Sequence, residues 1–93
     1  LVAKKLKRNN YQFGVLICGS GVGMSITANK HKNIRAALCY TENAAKLSRE
    51  HNNANIIALG ARLTKVNVAL KCVQTFLKTN FKGGRHLRRV KKI

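Results

Sequence analysis

The residues best equipped for chemistry lie together in Ile17-Cys18-Gly19-Ser20-Gly21-Val22-Gly23-Met24-Ser25 of this 93-residue chain. A thiol is followed by three glycines at alternate positions, with an apolar run, Val15–Ile17, before them and a stretch able to be helical, Met24–Lys30, after them. A strand that ends in a glycine-rich turn and opens a helix points several backbone N–H groups one way, and the helix dipole adds partial positive charge, so an anion is favoured there. Cys18 stands at the carboxyl end of the strand, the edge at which open α/β sheets hold their ligands. A thiol beside a helix N-terminus gains thiolate character and becomes a nucleophile or base. The competing reading is a buried structural cysteine next to a tight turn.

Counting removes several better-known loops. A phosphate-binding loop of the Walker type needs Lys-Ser or Lys-Thr directly after its last glycine, where Met24-Ser25 follows Gly23. The dinucleotide fingerprint needs a glycine three residues after Gly21, and Met24 is there. Cys18, Cys39 and Cys72 are too widely spaced for a zinc knuckle, and no C-x-x-C pair exists.

Those residues need a scaffold, and the chain is long enough for one small domain, residues 1–93. Its apolar content of 45% is that of a folded protein, not of a disordered one. No apolar run approaches a membrane span, and Leu1–Lys5 lacks the apolar core of a signal peptide. Three unpaired cysteines suit a reducing, cytoplasmic setting. Nineteen Lys and Arg face two acidic residues, Glu42 and Glu50, for a net charge of +17. Such a charge attracts polyanions. The lysines are nevertheless scattered and aromatic residues for stacking on bases are few, so the charge reads as solvated surface rather than as a nucleic-acid site.

Along the chain, Leu1–Arg8 reads as the end of a surface helix, Asn9-Asn10 as a turn, and Tyr11–Ile17 as a strand. Ile34–Cys39 reads as a second strand, and Thr41 as the N-cap of a helix from Glu42 to about His51. Ile56–Leu59 is a third, continuously apolar strand. Thr64 is placed to cap a helix over Lys65–Thr79, whose apolar residues recur at helical spacing. Gly83-Gly84 sets off a basic tail, Arg85–Ile93, read as helical. Strands alternating with helices predict an α/β fold with a parallel sheet and helices on its faces. Three strands are few for such a sheet, so another chain or a further piece of polypeptide is expected to complete it.

Ile17–Ser25, with Ala28-Asn29-Lys30, Ile34-Arg35-Ala36-Ala37, Leu47-Ser48-Arg49-Glu50-His51-Asn52 and Gly83-Gly84-Arg85-His86 plus Arg89, resembles the ribose-5-phosphate isomerase B family, whose fold is shared by the galactose-6-phosphate isomerase subunits. The blocks run in order over almost the whole chain. The resemblance implies a three-layer Rossmann-like sheet ending in a basic C-terminal helix. It also implies interconversion of ribose 5-phosphate and ribulose 5-phosphate through an enediolate, a step of the pentose phosphate pathway, with neither metal nor cofactor. Cys18 would be the base that moves a proton between C2 and C1. The N–H groups of Gly19, Ser20, Gly21, Val22 and Gly23 would stabilise the enediolate oxygen. Ser20 replaces the family's usual Thr and keeps the hydroxyl. By the same resemblance His51 would open the sugar ring by proton transfer, Asn52 would contact the sugar, and Arg85 and Arg89 would bind its phosphate. Four apart on a helix, the two arginines share a face from which to fork onto a phosphate.

Read alone, His51 is a cation favoured at a helix end and Arg85 and Arg89 are solvated charges. His86 and Arg88 read as surface, and Cys39 and Cys72 as core. The resemblance further implies a homodimer, possible as a tetramer, whose sites take the histidine and the glycine loop from different subunits. Its members begin with a strand ending in Asp-His, then a helix and a second strand. The stretch before Leu1 would hold them, so the chain is expected to be N-terminally truncated and weakly active or inactive alone. Asn53 replaces a common Asp. Two other classes stay open: a phosphocysteine carrier of a sugar phosphotransferase system, whose loop resembles Cys18–Ser25, and a basic nucleic-acid-binding protein.

Overall fold

The computed structural model describes residues 13–92, and of Arg85 the backbone alone. The expected helix end over 1–8, the turn at Asn9-Asn10 and the Tyr11 start of the first strand lie outside the described residues.

Three strands, β1 (Gly14–Cys18), β2 (Ala36–Leu38) and β3 (Ile56–Gly60), form a parallel sheet in the order β1-β3-β2. Gly14 pairs with Ile56 and Cys18 with Gly60, while Ala36 also aligns with Ile56, so the three strands start together and β2 stops first, at Leu38 opposite Ala58. Among the described residues four helices accompany them: α1 (Val22–Asn29), α2 (Glu42–Asn52), α3 (Val66–Lys78) and the short α4 (Leu87–Lys91), the last preceded by a 3-10 turn over Gly84–His86.

The central strand explains the layering. Every residue of β3 is buried, and successive side chains of a strand point to opposite faces. Ile56 and Ala58 pack with Leu16, Ala28 and Ile34 under α1. Ile57 and Leu59 pack with Ala45, Cys72 and Phe76 under α2 and α3. Right-handed crossovers require this split, because the β1-to-β2 connection travels across the sheet in the direction opposite to the β2-to-β3 connection. The expected three-layer α/β fold is the one observed.

Local expectations mostly hold, with shifted ends. The Thr41 side chain accepts from the Ala44 N–H at 3.1 Å and caps α2. The helix expected from Met24 begins two residues earlier, at Val22, because Gly21 at φ 82° turns the chain into it. The second strand is shorter than Ile34–Cys39, because the Arg35 N–H bonds the Asn55 side chain (2.8 Å) instead of entering the ladder. Along the outer edge of β2, the Asn29 amide accepts from the Ala36 N–H (2.7 Å) and donates to its carbonyl (2.9 Å), acting as a stand-in for a neighbouring strand. Thr64 does not cap α3. Its N–H turns back to the Gly60 carbonyl, its hydroxyl is buried without a partner, and Lys65 takes the cap position. The basic tail is part 3-10 turn and part α-helix, with Gly84 at φ 50° starting it.

Among the described residues β1 has a single strand partner, β3. Val15 and Ile17 are 38% and 61% exposed along its open side. With Val66 and Leu70 of α3 they line an apolar groove of about 250 Å³. No helix among the described residues is long and apolar enough to cross a membrane.

Candidate active site

Cys18 ends β1, and its Sγ accepts the Gly21 N–H at 2.9 Å. The thiol therefore faces the glycine loop rather than the core, and it is only part-buried. The loop is built to bring backbone to sulfur. Gly21 needs its left-handed φ, and a Cβ there would stand 2.4 Å from Leu38 Cδ1 and 3.2 Å from the Leu59 carbonyl oxygen. A Cβ on Gly60 would stand 2.5 Å from the Ser20 carbonyl oxygen, so glycine on β3 is what lets the loop lie against the sheet. Tyr40 donates its hydroxyl to that same carbonyl at 2.7 Å. The Ser20 hydroxyl accepts from the Val22 N–H at 3.3 Å. Val22 and Gly23 open the first turn of α1, where backbone N–H groups have no preceding turn to bond. A Cβ on Gly23 would meet nothing within 4 Å, so the space above that turn is open to a ligand.

One residue of this end escaped the sequence reading. The Arg62 backbone N–H donates to the Gly19 carbonyl at 2.9 Å. Its side chain lies over Gly19, with Nε 3.2 Å from where a Cβ on Gly19 would be. An exposed guanidinium beside an amide nest adds full positive charge to partial ones. Nothing in the sequence separates Arg62 from the other cations except its place two residues beyond a buried strand.

The other two cysteines are core residues, as expected. Cys39 and Cys72 are 1% and 0% exposed. Burial pushes the Cys39 thiol up to about 11, partly offset by a hydrogen bond with Ser48, and burial likewise raises Cys72. Cys18 is the cysteine that meets solvent.

The remaining candidates gather at the opposite end of the sheet. In a parallel sheet the helix after β2 runs back to the amino ends of the strands, and there α2 delivers His51 and Asn52. The Gly14 N–H bonds the Asn55 carbonyl just beyond (3.0 Å), which fixes this end of α2 to the start of β1. Arg49 anchors the turn. It is 7% exposed, donates to the Thr79 carbonyl (3.0 Å), the Asn53 side chain (2.9 Å) and the Ala54 carbonyl (2.6 Å), and lies over the Phe13 and Phe76 rings. Burial lowers the Arg49 pKa, and the nearby Arg35 charge lowers it further. The Lys82 N–H donates to the Glu50 carbonyl (3.0 Å) and its ammonium stands 3.4 Å from the Glu50 carboxylate, so the tail is tied back onto α2.

That tie brings Arg89 to the histidine. Arg89 donates from Nη1 to the Asn52 side chain and from Nη2 to the His51 carbonyl (2.7 Å), and Nη2 also stands 3.1 Å from His86 Nδ1. Both terminal nitrogens of Arg89 thus have partners within this chain, where the sequence alone suggested two solvated arginines. Arg85 shares the 3-10 turn with His86, and its side chain lies outside the described residues. His86, read from sequence as surface, is half-buried and stacks on His51 with ring centroids 4.3 Å apart and planes 21° from parallel. A cleft of about 350 Å³ opens beside the pair, lined by His51, Lys82, Gly83, Gly84 and His86.

The structure therefore groups Cys18 with Gly19–Gly23 and Arg62, and separately His51 with Asn52, His86 and Arg89. The length of β1 lies between the groups, roughly 13 Å for four strand steps. Side chains that far apart cannot both reach one small ligand within a single chain.

The family model described as Ribose/Galactose Isomerase matches residues 1–93. A probable ribose-5-phosphate isomerase B of Mycoplasma genitalium is 49% identical over 94 residues, which take in 100% of this chain and 62% of that protein. The crystal structure of a ribose 5-phosphate isomerase from Thermotoga maritima superposes with a TM-score of 0.94 at 50% identity, covering 98% of this chain and 63% of the other. The type B ribose 5-phosphate isomerase of Trypanosoma cruzi gives a TM-score of 0.95 at 51% identity, covering 98% and 61%. The chain thus spans about three fifths of the length of the relatives it matches. A family model matched from end to end, a shared backbone and half of all residues identical carry one conclusion: the chain belongs to the ribose/galactose isomerase family.

Proposed function

We propose that this polypeptide supplies the two halves of an aldose–ketose isomerase site that interconverts ribose 5-phosphate and ribulose 5-phosphate, and that two copies must meet to close each site. The observation that carries the reading is the Cys18 sulfur held on the glycine loop by the Gly21 N–H, with Arg62 beside it. The shared names of its relatives point to the same substrate.

The chemistry follows from what each end offers. At the histidine end, His51 moves a proton between the anomeric hydroxyl and the ring oxygen, which opens the sugar to its aldehyde. At the cysteine end, the Cys18 thiolate takes the proton from C2. The electron pair left behind spreads into the carbonyl and leaves an enediolate. Amide donors aimed at an oxygen that gains charge stabilise the transition state more than the ground state, and the loop N–H groups from Gly19 to Gly23 serve that purpose. The 2-hydroxyl proton then passes to O1, the thiol returns its proton to C1, and C2 is left as the ketone. Asn52 and the guanidinium groups of Arg62, Arg85 and Arg89 are the hydrogen-bond donors for the sugar and its phosphate.

The separation of the two ends supports a homodimer in which Cys18 of one copy works with His51 of the other. Mixing tests it. Cys18→Ala and His51→Ala chains should each be inactive with ribose 5-phosphate, and an equimolar mixture should regain about a quarter of wild-type turnover, since a random mixture makes half heterodimers with one intact site of two. A mixture as inactive as its parents would refute the shared site. Activity surviving in the Cys18→Ala chain would refute the base.

A further inference from the structure

We infer that His86 is the positioning residue of the histidine end: a single imidazole sets both the plane of the His51 ring and the direction of the Arg89 guanidinium. The role deepens the isomerase reading and rests on it for what His51 and Arg89 are for, but the geometry stands apart from it.

The two contacts use different parts of the ring. Arginine has donors only, so the 3.1 Å approach of Arg89 Nη2 requires His86 Nδ1 to carry a lone pair. The neutral ring then keeps its proton on Nε2. The ring face lies on His51 at a 4.3 Å centroid distance, within the range for stacked rings. Edge and face are thereby assigned to separate tasks. The need for each is visible in the surroundings. His51 sits in the last turn of α2 and is half-buried, and a histidine χ2 left to itself is broad. A group that hands a proton to a sugar oxygen must hold its nitrogen in one direction, and the His86 face restricts that rotation. Arg89 extends from a five-residue helix and is exposed. With Asn52 and the His51 carbonyl on one side and His86 on the other, its guanidinium plane is held from several directions.

The backbone brings His86 there deliberately. Gly84 adopts φ 50°, a value that side chains other than glycine rarely take, and the Gly83 carbonyl accepts the His86 N–H at 3.1 Å. A Cβ on either Gly83 or Gly84 would meet nothing within 4 Å, so it is conformation and not space that calls for glycine at 84. The Lys82–Glu50 ties start this turn on α2 itself.

Two substitutions separate the tasks. His86→Asn puts an amide oxygen near the place of Nδ1 and removes the ring face. His86→Phe keeps the face and removes the acceptor. With ribose 5-phosphate, His86→Phe should raise KM about tenfold with kcat nearly kept, and His86→Asn should lower kcat about tenfold with KM nearly kept. Affinity for inorganic phosphate, followed by calorimetry, should fall in His86→Phe and hold in His86→Asn. Parallel changes of kcat and KM in the two variants, or no change in either, would overturn the assignment. A readout that needs no turnover is the imidazole spectrum. In 15N-histidine-labelled protein near pH 8, above the ordinary imidazole range, His86 should show a bare Nδ1 and a protonated Nε2, with contacts between the His51 and His86 ring protons. A protonated Nδ1 on His86, or no ring-to-ring contact, would also overturn it. Should the wild-type protein show this spectrum yet neither turn over sugar phosphate nor bind phosphate, the isomerase reading fails while the positioning geometry stands.

Discussion

Two glycines of the same loop should respond in opposite ways to one added methyl group. In Gly21→Ala the new Cβ carries two separate costs. Alanine at φ 82° is in a region that costs an L-residue about 1 kcal/mol. The methyl also stands 2.4 Å from Leu38 Cδ1, which a rotamer change can relieve, and 3.1 Å from the Leu59 carbonyl carbon, which belongs to the backbone of the central strand and cannot easily retreat. Overpacking of that kind costs about 1–3 kcal/mol, so the total is roughly 2–4 kcal/mol. For a chain of this length such a loss lowers Tm by about 10–25 °C. Gly23→Ala replaces glycine within α1, at a position where the methyl meets nothing within 4 Å. Alanine there restricts the unfolded chain without crowding the folded one, for a gain of about 0.5 kcal/mol. Thermal unfolding followed by far-UV circular dichroism reads both. A Gly21→Ala chain within 1 kcal/mol of wild type, or equal changes in the two variants, would refute the packing described for the loop.

Arg49→Met replaces the guanidinium over Phe13 and Phe76 with an apolar chain and leaves the Thr79 and Ala54 carbonyls and the Asn53 side chain without their donor; urea unfolding should show a loss of about 3 kcal/mol. Iodoacetamide followed by mass spectrometry should label Cys18 in the native protein and reach Cys39 and Cys72 only on unfolding, because these two are buried and their thiols are held protonated. The raised Cys39 pKa also gives stability a direction with pH. The folded state keeps the thiol protonated up to about 11 while the unfolded thiol ionises near 9, so this contribution is fully present below pH 9 and is lost as pH rises toward 11. The fall should be shallower in Cys39→Ala, measured as the slope of stability against pH.

The layered sheet was legible because β3 is apolar throughout and its neighbours are punctuated by glycine and asparagine, so strand and helix periods could be told apart. The Thr41 cap was legible for a local reason, an oxygen three residues before the N–H it accepts. Thr64 carried the same local signal and misled, since the tight turn from Gly60 competes for that stretch of backbone. Cys18 and its loop could be read because strand, thiol and glycines are contiguous. His86 and Arg62 could not. Each acts on residues far away in sequence, His86 on His51 and Arg62 on Gly19, and Arg62 is one of 19 Lys and Arg with no neighbour pattern that marks it. The resemblance named Arg89, but only the structure shows that both of its terminal nitrogens are engaged by α2 and His86.

The central claim is that the Cys18 sulfur moves a carbon-bound proton of a phosphorylated aldose. It is tested most directly by following the C2 proton of ribose 5-phosphate by NMR in D2O. With the wild-type protein that signal should fade, more slowly than with a full-length relative, as solvent deuterium enters at C2 and the signals of ribulose 5-phosphate grow, and with Cys18→Ala it should persist. A C2 proton that survives the wild-type protein, or that is lost equally fast with Cys18→Ala, would contradict the account.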